Sequence, residues 1–283
     1  MSNLSEFTPD NPLMLVGCGN MGQALVRGWL TAGLDPSALI IVDPAAHVDD
    51  LPEFNGAVFA ANGNDLPADT QARLVLLAVK PQVMNAVVET VASAIGAATL
   101  VVSVAAGVTL AQLRRGSPEG LSGGLLVRAM PNTPAAVGAG VTGLVADTGV
   151  SEQDTLLVDA VMGAAGKTVW LSGEHLMDAV TAVSGSGPAY VFHMVEALAA
   201  AGAAAGLPHD QATILARQTI VGAARLLAVE SDVDAGTLRQ RVTSPGGTTA
   251  AALKVLMNPQ DGLTELMTRA VTAAKKRGAE LAD

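Results

Sequence analysis

A single cysteine, Cys18, rules out an intrachain disulfide and deprives any zinc cluster of its usual thiolates. Aromatic residues are scarce, 2% of the chain with two Trp and one Tyr, so the stacking platforms that hold single-stranded nucleic acid are missing. Positive charge is short too. Sixteen basic residues against 26 acidic ones leave a net charge of −10, the wrong sign for a phosphate backbone. His47, His175, His193 and His209 show no metal-ligand spacing, and neither a Gly-x-Ser-x-Gly elbow nor a Walker loop is present. No metal is therefore expected. Residues 1–11 have neither the basic nor the apolar region of a signal peptide. The uncharged run Thr90–Leu113 is broken by Ser93, Gly96, Thr99, Ser103 and Gly107, which reads as a helix end, a strand and a turn rather than a membrane span. These absences lead us to expect a cytoplasmic protein that binds neither nucleic acid nor membrane.

What is present is apolar. Half of the 283 residues are hydrophobic, enough for one large core or two ordinary ones. Near-continuous apolar runs at Leu13–Val16, Leu39–Val42, Leu74–Val79, Thr99–Val104, Leu125–Arg128 and Val141–Val145 read as parallel strands covered on both faces. Helical stretches such as Met21–Ala32 and Gln82–Ala94 fit between them, the alternation of a doubly wound α/β sheet. After Trp170 the strands stop. Ala-rich helices are expected near 174–183, 188–205, 209–229, 235–242, 248–257 and 263–276, with Pro188 in a first turn and Gly206-Leu207-Pro208 as a stop. The expected organisation is a Rossmann-like domain over residues 1–172 and an all-α domain over 173–283. That many apolar helices cannot hide every face in one monomer, so a helical dimer is expected.

Leu13–Val16 runs into Gly17-Cys18-Gly19-Asn20-Met21-Gly22 and then a helix. In a Gly-x-Gly-x-x-Gly turn the first glycine allows the bend, the second the approach of a pyrophosphate, and the third close helix–strand packing. The helix amino end contributes N–H groups and partial positive charge. Asp43 ends the second strand 21 residues after Gly22, close to the ~20 expected of a ribose-binding carboxylate. Such a carboxylate repels a 2′-phosphate, so Asp43 leans towards NADH over NADPH, unless it only caps the strand end. Two acids crowd His47, which would otherwise offer a phosphate contact.

Further polar groups follow strands. Lys80 in Ala78-Val79-Lys80-Pro81 reaches a phosphate or a carboxylate, or is a solvated surface charge. Pro131 and Pro134 fix Asn132 and Thr133 between them. Ser244-Pro245-Gly246-Gly247-Thr248-Thr249 is a loop feeding a helix, an anion site of carboxylate size, or else an ordinary amino cap made by Thr248 or Thr249.

Together these motifs, with Ser103-Val104-Ala105-Ala106-Gly107-Val108, Met130-Pro131-Asn132-Thr133-Pro134 and Ser184-Gly185-Ser186-Gly187-Pro188-Ala189-Tyr190, resemble pyrroline-5-carboxylate reductases from about Leu13 to Leu281. The resemblance implies a Rossmann domain followed by a dimerisation domain, with homodimers assembling into decamers. It also implies reduction of 1-pyrroline-5-carboxylate to L-proline with NADPH or NADH. By position, Gly17, Cys18, Gly19, Asn20, Met21, Gly22, Asp43, Asn64 (in preference to Asn62), Ala78, Val79, Lys80, Pro81 and Ala105 would hold the cofactor. Ser244, Gly246, Gly247, Thr248 and Thr249 would bind the substrate, with Thr249 at the imine nitrogen as the catalytic hydroxyl. Rival readings are a β-hydroxyacid dehydrogenase or another imine reductase, and a non-catalytic dinucleotide sensor. The first expects a helical lysine that Ser184–Ala205 lacks; the second gives no reason for the Ser244–Thr249 loop.

Overall fold

The structure is a computed structural model and describes residues 3–46, 49, 51–116, 121 and 124–282, so His47 lies outside it. The chain divides into two compact units, one of Met1–Gly185 with Lys275–Asp283 and one of Ser186–Ala274.

The first unit is built on an eight-stranded sheet: β1 Leu13–Val16, β2 Leu39–Val42, β3 Val58–Ala60, β4 Leu74–Leu77, β5 Leu100–Ser103, β6 Leu125–Met130, β7 Gly140–Ala146 and β8 Gly166–Trp170. Their order across the sheet is β3-β2-β1-β4-β5-β6-β7-β8. β1 to β6 are parallel, β7 pairs antiparallel with β6, and β8 runs parallel to β7. The expectation of parallel strands throughout therefore fails at Val141–Val145. Only the short turn at Thr133–Val137 joins β6 to β7, too little chain for the crossover that a parallel neighbour requires.

Side chains alternate across the strands and both faces are covered, which is why each run is apolar without a break. Leu13, Leu15, Leu74 and Leu76 pack on one face with Leu25 and Trp29 of α1 (Asn20–Thr31) and Val158 and Met162 of α4 (Glu152–Gly163). Met14, Val16, Val75 and Leu77 pack on the other with Met84, Val88 and Val91 of α2 (Met84–Val91) and Leu113 of α3 (Leu110–Gly116). Trp29 Nε1 donates to Val161 O at 2.8 Å and ties α1 to α4. Ser151 and Asp154 form a reciprocal cap at the start of α4.

Beyond β8 the chain is helical, as expected. A short α5 (Met177–Val180) runs into a π-helical turn at Thr181–Gly185. α6 (Gly187–Ala204), α7 (His209–Val229), α8 (Ala235–Arg241), α9 (Thr248–Leu256) and α10 (Leu263–Ala282) follow. α6 and α7 pack as an antiparallel pair with Ala212 and Ala216 buried. Many apolar side chains of the second unit stay exposed, Phe192 and Ile214 at 66% each among them. Among the described residues α7 is the one helix long and apolar enough to cross a membrane by length and composition alone, although it carries Arg217 and Arg225.

Candidate functional site

Strand pairing continues past the carboxyl ends of the parallel strands. Gly17 N donates to Val42 O, Asp43 N to Ala60 O, Ala78 N to Val16 O and Val104 N to Leu77 O, at 2.7–3.0 Å. These bonds set the Gly17–Gly22 turn, Asp43, Ala78 and Val79 side by side, at the edge where open α/β sheets bind ligands. Ala105 is buried just beyond β5, its N–H donating to Ser103 Oγ at 3.3 Å.

Gly17 has φ +96°, and a Cβ there would sit 2.8 Å from Ala78 O. On Gly22 a Cβ would collide with Gly17 O, whereas on Gly19 it would meet nothing within 4 Å. The turn is thus closed where helix meets strand and open at the helix amino end, which Gly19 begins with no side-chain cap. That open cradle, with Asn20 and Met21 as the first helical residues, fits a pyrophosphate.

Asp43 has two tasks in this frame. Its Oδ2 accepts from Cys18 N at 2.7 Å and its Oδ1 from Ala45 N at 2.8 Å, so the carboxylate fastens the end of β2 to the glycine turn. Gln23 Nε2 adds a bond to Cys18 O at 3.0 Å. Burial, and then the Asp43 charge, push the Cys18 thiol from 9.0 up to about 11, partly offset by Arg27. Cys18 is therefore a neutral small side chain.

Lys80 is exposed and Pro81 opens a helical turn at Pro81–Val83. Asn62 caps the Gly63–Asp65 turn with its side-chain Oδ1, which accepts from Asn64 N at 2.9 Å and leaves the Asn64 side chain exposed. A Cβ on Gly63 would strike Thr90 O, so this turn packs on α2. No hydrogen bond among the described residues joins Asn64 to the glycine turn.

In the second unit Gly247 N donates to Ser244 O at 3.1 Å, closing a turn in which Gly246 adopts φ +71°. Gly247 is the amino cap of α9 and no side chain caps it, so neither Thr248 nor Thr249 does the ordinary capping job. Thr243 Oγ1 donates to Arg239 O at 2.7 Å, and Arg241 pairs with Glu230 just upstream. The result is a helix start with unclaimed hydroxyls and partial positive charge, suited to a small carboxylate.

Two family models match this chain: "Pyrroline-5-carboxylate reductase dimerisation" over residues 174–281, and "NADP oxidoreductase coenzyme F420-dependent" over residues 12–107. A pyrroline-5-carboxylate reductase from Pseudomonas aeruginosa is 39% identical over 96% of this chain and 97% of its own length. The chain belongs to the pyrroline-5-carboxylate reductase family. The solved structure of a pyrroline-5-carboxylate reductase from Coxiella burnetii superposes with a TM-score of 0.86 at 36% identity, covering 97% of this chain and 99% of the other. A pyrroline carboxylate reductase from Plasmodium falciparum, solved with NADP bound, gives 0.76 at 26% identity, over 98% and 100% of the two chains.

As a pyrroline-5-carboxylate reductase family member, the chain also carries polar ties that sequence reasoning missed. Arg128, 5% exposed in β6, donates to Glu174 Oε1 at 2.9 Å, and the same oxygen accepts from Leu110 N at the start of α3. Asn132 bonds two backbone groups far from it in sequence. A charge inside an apolar strand was the visible signal for Arg128; nothing local marked its partner.

Proposed function

We propose that the chain reduces the C=N bond of 1-pyrroline-5-carboxylate to L-proline, with hydride that NADPH or NADH supplies when bound against the Gly17–Gly22 turn. Family membership supports the reaction. The observation that carries the substrate reading is the uncapped start of α9, where Ser244 and Thr248 offer hydroxyls and Gly246 and Thr248 backbone N–H groups to the carboxylate, while Gly247, its own N–H bonded to Ser244 O, shapes the turn that presents them. Thr249, one residue into the helix, is the catalytic hydroxyl in this reading: it accepts a hydrogen bond from the protonated ring nitrogen and holds the iminium form that takes hydride. A protonated imine is already electrophilic, so the chain contributes mainly alignment.

On the dinucleotide side, Asn20, Met21 and the glycines take the pyrophosphate, Asp43 the adenosine ribose, and Asn64, Lys80 and Pro81 the flanks. Cys18, Ala78, Val79 and Ala105 are small or apolar walls. Asp43 favours NADH, because its charge opposes a 2′-phosphate. The exposed apolar side chains of the second unit support a homodimer, and the family resemblance supports the assembly of five such dimers into a decamer. A second copy laid over these faces is consistent with a cytoplasmic enzyme without a membrane span, α7 included.

The test is loss of reduced-nicotinamide absorbance with pyrroline-5-carboxylate, run in parallel with NADH and NADPH. We expect turnover, and about tenfold lower kcat/KM in Thr249→Ala, the cost of one hydrogen bond near the reacting atoms. No turnover with either coenzyme sinks the reading; an unchanged Thr249→Ala removes that residue from it.

A further inference from the structure

Asn132 is 8% exposed and stands between Pro131 and Pro134, at the amino cap of the Thr133–Val137 turn. Asparagine in that position normally accepts from the turn's own N–H groups. Here it makes no such cap. Its Nδ2 donates to Ser184 O at 3.1 Å and its Oδ1 accepts from Val141 N at 2.9 Å. Because Val141 N–H can only donate and Ser184 O only accept, the partners dictate the orientation of the amide, and no other side chain of this size satisfies both.

The group held is the π-helical turn Thr181–Gly185, which leads directly into Ser186-Gly187-Pro188. Single π turns inside helices concentrate at functional sites. This one is braced on several sides. Ser184 Oγ donates to Val180 O and Thr181 Oγ1 to Met177 O, Ala182 is fully buried, and a Cβ on Gly185 would lie 3.0 Å from Met130 Cε. Met130 ends β6, which is parallel to β1, β4 and β5. Asn132 therefore emerges at the same carboxyl edge as the Gly17–Gly22 turn.

We infer that Asn132 is a positioning residue for the reductase reaction: its amide locks the Thr181–Gly185 turn to the ligand edge of the sheet and so sets where the Ser184–Gly185 backbone stands during turnover. The inference rests on the reductase reading above. A shift of ~1 Å in a positioning element is enough to slow a reaction by up to ~100-fold without touching the reacting atoms.

The experiment compares the full-length chain with Asn132→Asp, which keeps the acceptor for Val141 and loses the donor to Ser184, and Asn132→Leu, which loses both at similar volume. Steady-state kinetics are run well below each variant's unfolding temperature, with the coenzyme KM measured separately. We expect kcat to fall about tenfold in Asn132→Asp and further in Asn132→Leu, with the coenzyme KM within about twofold of the parent. Lower thermal stability with parental kcat in the folded protein assigns Asn132 a structural role only and overturns the inference. Should Asn132→Leu fail to fold, the Asn132→Asp kinetics alone decide. No turnover by the unsubstituted chain overturns the reductase reading and this inference with it, whereas parental kcat in the variants overturns the inference alone.

Discussion

Asp43 illustrates how far a single residue can be read. Its distance from Gly22 marked it as a ribose ligand, and the structure shows both its oxygens already accepting from Cys18 N and Ala45 N. The same carboxylate that would meet the ribose also holds the glycine turn. Asp43→Ser removes the charge and keeps a short acceptor; we expect the ratio of kcat/KM for NADPH to that for NADH to rise about tenfold, measured by initial rates with each coenzyme. A parent that already prefers NADPH counts against Asp43 as the determinant. Cys18 offers a pH test. Its folded value of about 11 lies above the ordinary 9.0, so the native state favours the neutral thiol. The contribution to stability is complete below pH 9 and is lost as pH rises towards 11. Alkylation of the native protein by iodoacetamide should be slow at pH 8–9, speed up only near pH 11, and become fast at pH 9 once urea unfolds the chain.

At the scale of elements, the strands that sequence patterning identified are those buried on both faces. β3 and β8 were missed. β3 is three residues long with Val58 half exposed, and β8 alternates between half-buried and exposed positions, so neither writes an apolar run. The reversed direction of β7 could not be read from its composition, because buried strands look alike whichever way they run; only the short link from β6 betrays it. The Glu174 tie belongs to this scale as well: one oxygen joins Arg128 of β6 to the first N–H of α3. Glu174→Ala strands a guanidinium that is 5% exposed. We expect a loss of about 3 kcal/mol, read as a lower urea midpoint at unchanged slope.

For the whole molecule, the second unit leaves Phe192 and Ile214 two-thirds exposed. Apolar surface of that extent is costly in water and is normally covered by a partner. Replacing both, Phe192→Glu with Ile214→Glu, should lower the mass found by light scattering from that of an oligomer to that of one chain while the helical circular dichroism persists. An unchanged mass would place the interface elsewhere. The need for a partner was legible in the surplus of apolar helix after Trp170; which faces take part was not.

Family, fold class and the glycine turn follow from the order of residues alone, since local rules govern them: a turn that needs Gly17, a helix start at Gly19, apolar runs where both faces of a strand are covered. Asn132, Arg128 and Glu174 took on their tasks only in three dimensions. Their partners lie 9 to 64 residues away in the chain, and a hydrogen bond across such a distance leaves no spacing to read. The tertiary structure also settled what Thr248 and Thr249 do not do, by showing α9 start at Gly247 without a side-chain cap. Whether a hydroxyl caps its helix or stays available to a ligand depends on one backbone turn, and that turn is set by packing.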